Sequence, residues 1–233
     1  MDEARARILA GIRRSLGRDG LAPADEAALR SRMASRSTNL VPARAVQLDR
    51  AARLALFAKM AEEADATVSR LAVPQAVPGA VAGYLSDQNL PARLVMAPDP
   101  ELDRIPWQEW PLLQIRRGRA EADDLISLTP CFAAIAETGT LMLRSGPHTP
   151  TTLNFLPDTH IVLVYADQIV ATYEEGWVRL RQAANAAGGL PRTVNFVTGP
   201  SRTGDIEQRI VLGAHGPRRL HILLVENRQS DER

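Results

Sequence analysis

Short apolar runs alternate with helix-length amphipathic stretches through most of this chain, and that rhythm constrains its fold most. TVSRLA reads as a strand, PGAVAGYLSDQN as a helix and ARLVMA as a strand. Farther on, HIVLVYA reads as a strand and YEEGWVRLRQAANAAGG as a helix stopped at Gly188 and Gly189, followed by NFVT and LHILLVE as strands. Strands alternating with helices require crossovers, and crossovers produce a parallel sheet covered by helices. LDRAARLALFAKMAEEA, residues 48 to 64, adds a helix with Leu48, Ala52, Leu56, Met60 and Ala64 four apart. AIAETGTLML breaks the rhythm and reads as an antiparallel hairpin turning at Thr138-Gly139. The expected fold class is therefore α/β: a mostly parallel sheet flanked by helices, with an inserted antiparallel hairpin.

Residues 1 to 47 have a different texture, and the expected division is an N-terminal helix and tether over 1–47 and an α/β domain over 48–228. Ile8, Ile12 and Leu16 mark one face of a helix over 3 to 17, with Arg5, Arg7, Arg13 and Arg14 on other faces. Such a stripe is too narrow for a stable isolated helix. It predicts attachment to the chain's own body, to a partner or to a second copy in a homo-oligomer. Residues 18 to 47 are weakly patterned, with a short helix around 24 to 35. The segment PDPELDRIPWQEWP, 98 to 111, reads as irregular, with Trp107 and Trp110 pinning it to the core.

Composition bounds the function classes. The 28 basic and 27 acidic side chains give a net charge of +1, which argues against nucleic-acid binding. Lys59 is the single lysine, so the arginines reflect a compositional bias, and each carries less weight as a phosphate reader. Cys131 is the single cysteine. It can form no internal disulfide and cannot alone hold an iron–sulfur cluster, and a reducing cytoplasm is the simple reading. The N-terminus lacks the apolar core of a secretory signal, and no run approaches a transmembrane span. HExxH and CxxC are absent, so no metal site is expected.

Two places carry candidate chemistry. GPSRTGDIE, 199 to 207, reads as a junction between the NFVT strand and a helix over 205 to 212. In one reading it is a well-capped loop: Thr203 or Asp205 caps the helix, while Gly199 relaxes the backbone. In the other, Ser201, Arg202 and the free amides cradle a carboxylate or phosphate at the carboxyl end of the sheet. The loop HTP, 148 to 150, is placed at that end too. Glu137 sits among small apolar residues beside Thr138 and Gly139. It is either an exposed turn carboxylate or a desolvated one suited to acid, base or nucleophilic work. His215 follows an expected helix stop, where it either caps the last carbonyls or binds a carboxyl group.

AIAETGTLML, LPDTHIVLV, GPSRTGDIE and GAHGPRRLHILLVE, in this order and spacing, resemble the LUD domain of the lactate utilization protein C family. That resemblance implies a fold like the ribose-phosphate isomerase and CoA-transferase superfamily (NagB/RpiA-like). It also implies a role in oxidising L-lactate to pyruvate with iron–sulfur partner proteins, this chain binding no cofactor itself. The matching positions are Glu137, Thr138 and Gly139, then the segment from Gly199 through Ser201, Arg202, Thr203 and Asp205, then His215 and Gly216. Two functions compete. One is a non-redox subunit of a lactate-oxidising complex. The other is a stand-alone isomerase- or CoA-transferase-like enzyme acting on a small anion, with Glu137 as its carboxylate.

Overall fold

The computed structural model describes residues 2–17, 20–35, 41–206 and 209–228, and over 203–212 the backbone alone. The chain divides into two compact units, residues 1–40 and 41–233. The first holds α1 (Asp2–Ser15) and α2 (Pro23–Ala34). Ile8, Ile12 and Leu16 of its apolar stripe are all exposed. In α2, Pro23 opens the helix, and Arg30 pairs with Glu26 one turn earlier at 2.7 Å.

The second unit begins with α3 (Arg50–Glu63), capped where the Asp49 side chain accepts from the Ala52 amide at 2.7 Å. There follow β1 (Thr67–Leu71), α4 (Val77–Asp87), β2 (Arg93–Met96), α5 (Pro100–Asp103), β3 (Gln114–Arg117) and β4 (Ile126–Pro130). Next come β5 (Ala133–Ile135), β6 (Thr140–Arg144), α6 (Thr152–Phe155), β7 (Thr159–Tyr165), β8 (Ile169–Val170) and α7 (Tyr173–Ala187). The last elements are β9 (Val194–Val197), β10 (Arg202–Ile206), β11 (Arg209–Leu212) and β12 (Arg219–Val225).

Six strands form a wholly parallel sheet in the order β1-β12-β7-β4-β2-β3. Alternation along its central strands sorts side chains between two cores. Ile161 and Leu163 of β7 and Leu223 of β12 join Val81 and Leu85 of α4 on one face. Val162 and Val164, with Ile222 and Leu224, join Leu54, Phe57 and Ala61 of α3 on the other. The α/β class with a parallel sheet flanked by helices is thus present.

The hairpin is an insertion in a stronger sense than the sequence suggests. It founds a second sheet in the order β8-β5-β6-β9, in which β5 pairs antiparallel with β6 and β6 with β9. Ala134, Leu141 and Leu143 face the α3 core, while Ala133 and Met142 pack with Leu180 of α7. A strand buried on both faces shows no polar alternation, so sequence pattern cannot place it in a layer.

One expected element is wrong. The described residues of the expected helix over 205 to 212 are strands: β10 and β11 form an antiparallel pair, with Arg202 opposite Leu212 and Thr203 opposite Val211. The β-branched Ile206, Ile210 and Val211 disfavour a helix in so short a stretch. Segment 98–111 follows the expectation in part: Trp107 packs on the core and its Nε1 donates to the Leu102 carbonyl at 2.7 Å, but Trp110 is exposed and the segment contains the short helix α5.

Candidate functional site

Three of the four signature segments, all but AIAETGTLML, meet at the amino ends of β7 and β12. The chain leaves β9 through Thr198, Gly199, Pro200 and Ser201, and the Ser201 amide donates to the Pro217 carbonyl at 2.8 Å. The Gly213 amide returns a bond to the Ser201 carbonyl at 3.0 Å. Segments 199–201 and 213–217 are thereby clamped together, 12 or more residues apart in sequence. With Asn154, Phe155 and His160 they close a cavity of about 210 Å³. Thr198, Ser201, His215 and Asn154 supply its polar groups, and Phe155, Phe196 and Leu220 its apolar wall.

His160 forms the inner side of this cavity. It is fully buried, with its Nε2 2.7 Å from Thr129 Oγ1 on the neighbouring β4. Burial pushes its pKa down to about 3, so it stands as a neutral imidazole. His221, at the start of β12, is likewise pushed down by burial, to about 4. It stacks on Tyr84 at 3.9 Å and meets Thr67 Oγ1 at 2.7 Å, so it belongs to the core.

A chain of hydroxyls leads from the cavity wall to Thr138 and Tyr173, beside Glu137. Thr198 Oγ1 lies 2.6 Å from Thr140 Oγ1, which lies 2.7 Å from Thr138 Oγ1 and 2.9 Å from the Tyr173 hydroxyl. Beside Thr138, Glu137 is only 4% exposed, and its Oε1 accepts from the Tyr173 amide at 3.0 Å. Glu137 is therefore the desolvated carboxylate of the two alternatives, but one seated on the amino end of α7. There it satisfies an amide that the start of a helix leaves without an intrahelical partner. It does not line this cavity.

Two of the motif glycines answer to packing. Gly139 has φ +66°, and a Cβ on it would lie 2.2 Å from the Ala61 amide nitrogen. Gly199 has φ +69°, and its Cβ would lie 2.0 Å from the Ala64 carbonyl oxygen. Both lean on the last turn of α3, one from each sheet-end loop, where no side chain fits.

The LUD domain profile matches residues 49–225, most of the chain. The chain belongs to the LUD domain family. Lactate utilization protein C of Deinococcus radiodurans is 42% identical over 118 residues, 50% of this chain and 52% of that protein. The protein of the same name from Geobacillus sp. (strain WCH70) is 30% identical over 138 residues, 54% of this chain and 57% of that one. The chain spans about half the length of the curated relatives it matches. A crystal structure of a DUF162 family protein from Deinococcus radiodurans superposes with a TM-score of 0.58 at 29% identity. It covers 76% of this chain and 99% of that one.

In this LUD domain the helix start expected after Ser201 is not found among the described residues, because Ser201 leads into β10. Arg202 opens β10 and pairs with Asp65, just beyond α3. Thr203 and Asp205 are strand residues, with side chains outside the description, and neither caps a helix. Nor does the loop lie at the carboxyl end of the parallel sheet. It follows β9 of the second sheet, which brings it to the amino ends of β7 and β12. Ser201, His215, Gly216 and Gly199 do come together; Glu137, Thr138 and Gly139 sit apart at the hydroxyl chain's far end. Asn154 and His160 are cavity residues that sequence reasoning missed. THIV reads only as a strand start, and no local signal marks His160 as facing the loops. Among the described residues no group of His, Cys, Asp or Glu is placed to hold a metal, and no helix is long and apolar enough to cross a membrane.

Proposed function

We propose that this chain is the non-redox, small-acid-binding component of a cytoplasmic lactate utilization system, in which iron–sulfur partner proteins move the electrons as L-lactate becomes pyruvate. The observation that carries the reading is the cavity of about 210 Å³ closed by the family's own signature segments, with Ser201, Thr198 and His215 facing one space. The relatives named lactate utilization protein C give it a substrate class. The chain's single thiol supports the division of labour. Cys131 is buried, its Sγ donates to the Ala133 carbonyl at 2.9 Å, and burial pushes its pKa up to about 12. A thiol held protonated and out of solvent is a poor cluster ligand. The basic helix α1, with its exposed apolar stripe, is assigned to assembly with these partners or with a second copy.

A three-carbon acid in the cavity would set its methyl against Phe155 and Leu220 and its oxygens toward the hydroxyls and the imidazole. Isothermal titration with L-lactate and pyruvate tests this. Ser201→Ala and His215→Ala should each weaken binding about tenfold, the loss of one good hydrogen bond. Unchanged affinity in both variants overturns the assignment of the cavity. A deletion strain should fail to grow on L-lactate, and the tagged chain should co-purify with proteins showing iron–sulfur absorbance.

One observation favours a second reading, a transferase or isomerase with Glu137 as its carboxylate: the hydroxyl chain runs from the Glu137 turn to the cavity. A covalent adduct on Glu137 after incubation with an acyl-CoA would establish it. Its absence, with Glu137→Gln still supporting growth on lactate, would remove it.

A further inference from the structure

A larger cleft, about 490 Å³, is built from residues outside the signature segments. It lies beyond the carboxyl ends of the parallel sheet, where Asp99 follows β2, Cys131 follows β4 and Gln168 follows β7. β2 and β4 are neighbours, but the chain leaves β2 for the outer strand β3 and leaves β4 for the opposite side of the sheet. Loops diverging from adjacent carboxyl ends leave a crevice between them, the usual ligand position in an open α/β sheet.

Four arginines and two carboxylates line this crevice. Both carboxylates are committed. Asp99 caps α5, accepting from the Glu101 amide at 2.9 Å. Glu101 pairs with Arg228 at 2.8 Å, and Arg228 also lies 3.5 Å from Asp167 and stacks over the Tyr165 ring. Arg104, Arg144 and Arg179 remain, with no carboxylate of the described residues at ion-pair distance. Arg144, from the end of β6, and Arg179, from α7, converge on one ring: their guanidinium carbons lie 4.9 and 5.9 Å from the Phe132 centroid. Arg179 is fixed further by donating to the Asp167 carbonyl at 2.8 Å. His148 joins them, its Nδ1 donating to the Pro98 carbonyl at 2.9 Å and its Nε2 left over. Like charges gathered around one ring repel each other unless an anion lies between them. Planar guanidinium forks match the oxygens of carboxylates and phosphates.

We propose that this cleft binds an organic anion carrying at least two negative charges, a phosphate ester, diphosphate or polycarboxylate, gripped by Arg104, Arg144 and Arg179. The site is separate from the signature cavity and does not depend on the lactate reading. A monocarboxylate would leave two of the three cations unpaired, and 490 Å³ is more than twice the volume of the signature cavity.

The test is isothermal titration of the full chain with sodium pyrophosphate and with citrate, at low and high salt, with L-lactate as a third arm. Saturable binding of pyrophosphate or citrate is expected, weakening as salt rises because the arginines are reached by solvent. A preference for pyrophosphate identifies a phosphate group and a preference for citrate a polycarboxylate. Arg144→Ala and Arg179→Ala should each weaken that binding about ten- to a hundredfold, with partial recovery in Arg144→Lys. Ser201→Ala should leave it unchanged. Should loss of the Phe132 contact unfold either variant, Arg104→Ala, at an exposed position, carries the same test with about a tenfold loss expected. Failure of the wild-type chain to bind either anion at low salt, or wild-type affinity in the arginine variants, overturns the proposal. A chain that ignores lactate yet binds pyrophosphate through these arginines supports the cleft and refutes the cavity.

Discussion

Gly139→Ala separates packing from ligand binding at the motif that the sequence marks most strongly. The substitution adds one methyl at φ +66°, 2.2 Å from the Ala61 nitrogen, 2.4 Å from the Met60 carbonyl carbon and 2.6 Å from the Ala61 Cα. All three are backbone atoms of α3, so no side chain can turn aside. A left-handed conformation costs a residue with a Cβ about 1–2 kcal/mol. Forcing a methyl into a filled space costs about 1–3 kcal/mol more. The expected loss is therefore roughly 2–5 kcal/mol. At about 2–4 °C per kcal/mol for a chain of this size, the melting temperature should fall by roughly 4–20 °C. Thermal unfolding by circular dichroism reads the shift, and urea unfolding should show a lower midpoint at an unchanged slope. Ala61→Gly should not rescue it, because the obstruction is main chain. An unchanged melting temperature would refute the packing argument. If lactate or anion binding also vanished, Gly139 would then be a ligand residue.

Two further outcomes follow from the buried histidine and the displaced arginine. His160 is neutral when folded, with its pKa pushed down to about 3 from 6.5. The unfolded chain takes up a proton as pH falls through 6.5 while the folded chain does not, so stability is full above that value and declines toward pH 3. The slope approaches about 1.4 kcal/mol per pH unit from His160, with a second contribution from His221 until about pH 4. Urea midpoints of His160→Gln should fall less steeply over that window than those of the wild type; equal slopes would refute the assignment. Arg202→Ala removes a surface pair with Asp65, both side chains well exposed, and should change unfolding free energy by no more than about 1 kcal/mol. A larger loss would mean that Arg202 anchors the β10–β11 hairpin.

The candidate site was legible in parts. GPSRTGDIE and GAHGPRRLHILLVE stand as two separate motifs in the sequence, and the Ser201–Pro217 and Gly213–Ser201 bonds join them in space. The helix start after Ser201, on which the cradle reading leaned, is replaced by the β10–β11 pairing. Glu137 was rightly placed in a hairpin turn, but its partner, the Tyr173 amide, comes from 36 residues away. The arginine cleft left no trace in the sequence. Arg104, Arg144 and Arg179 stand 35 or more residues apart, among 28 basic residues that dilute any local signal.

Local physics therefore determined what depends on neighbours along the chain. Strand runs such as HIVLVYA, the Asp49 cap of α3 and the Gly188 stop of α7 all follow from period, side-chain chemistry and backbone conformation within a few residues. From these the α/β class with its parallel sheet was within reach. Tertiary structure decided everything that depends on what a segment is pressed against. Residues 133–144 look the same whether their hairpin extends the parallel sheet or starts a second one; only burial between α3 and α7 settles it. Residues 205–212 have too few neighbours in sequence to choose helix or strand, since hairpin hydrogen bonds come from the partner strand. The arginine cleft exists because neighbouring β2 and β4 send their loops to opposite sides, a property of strand order that no local pattern encodes.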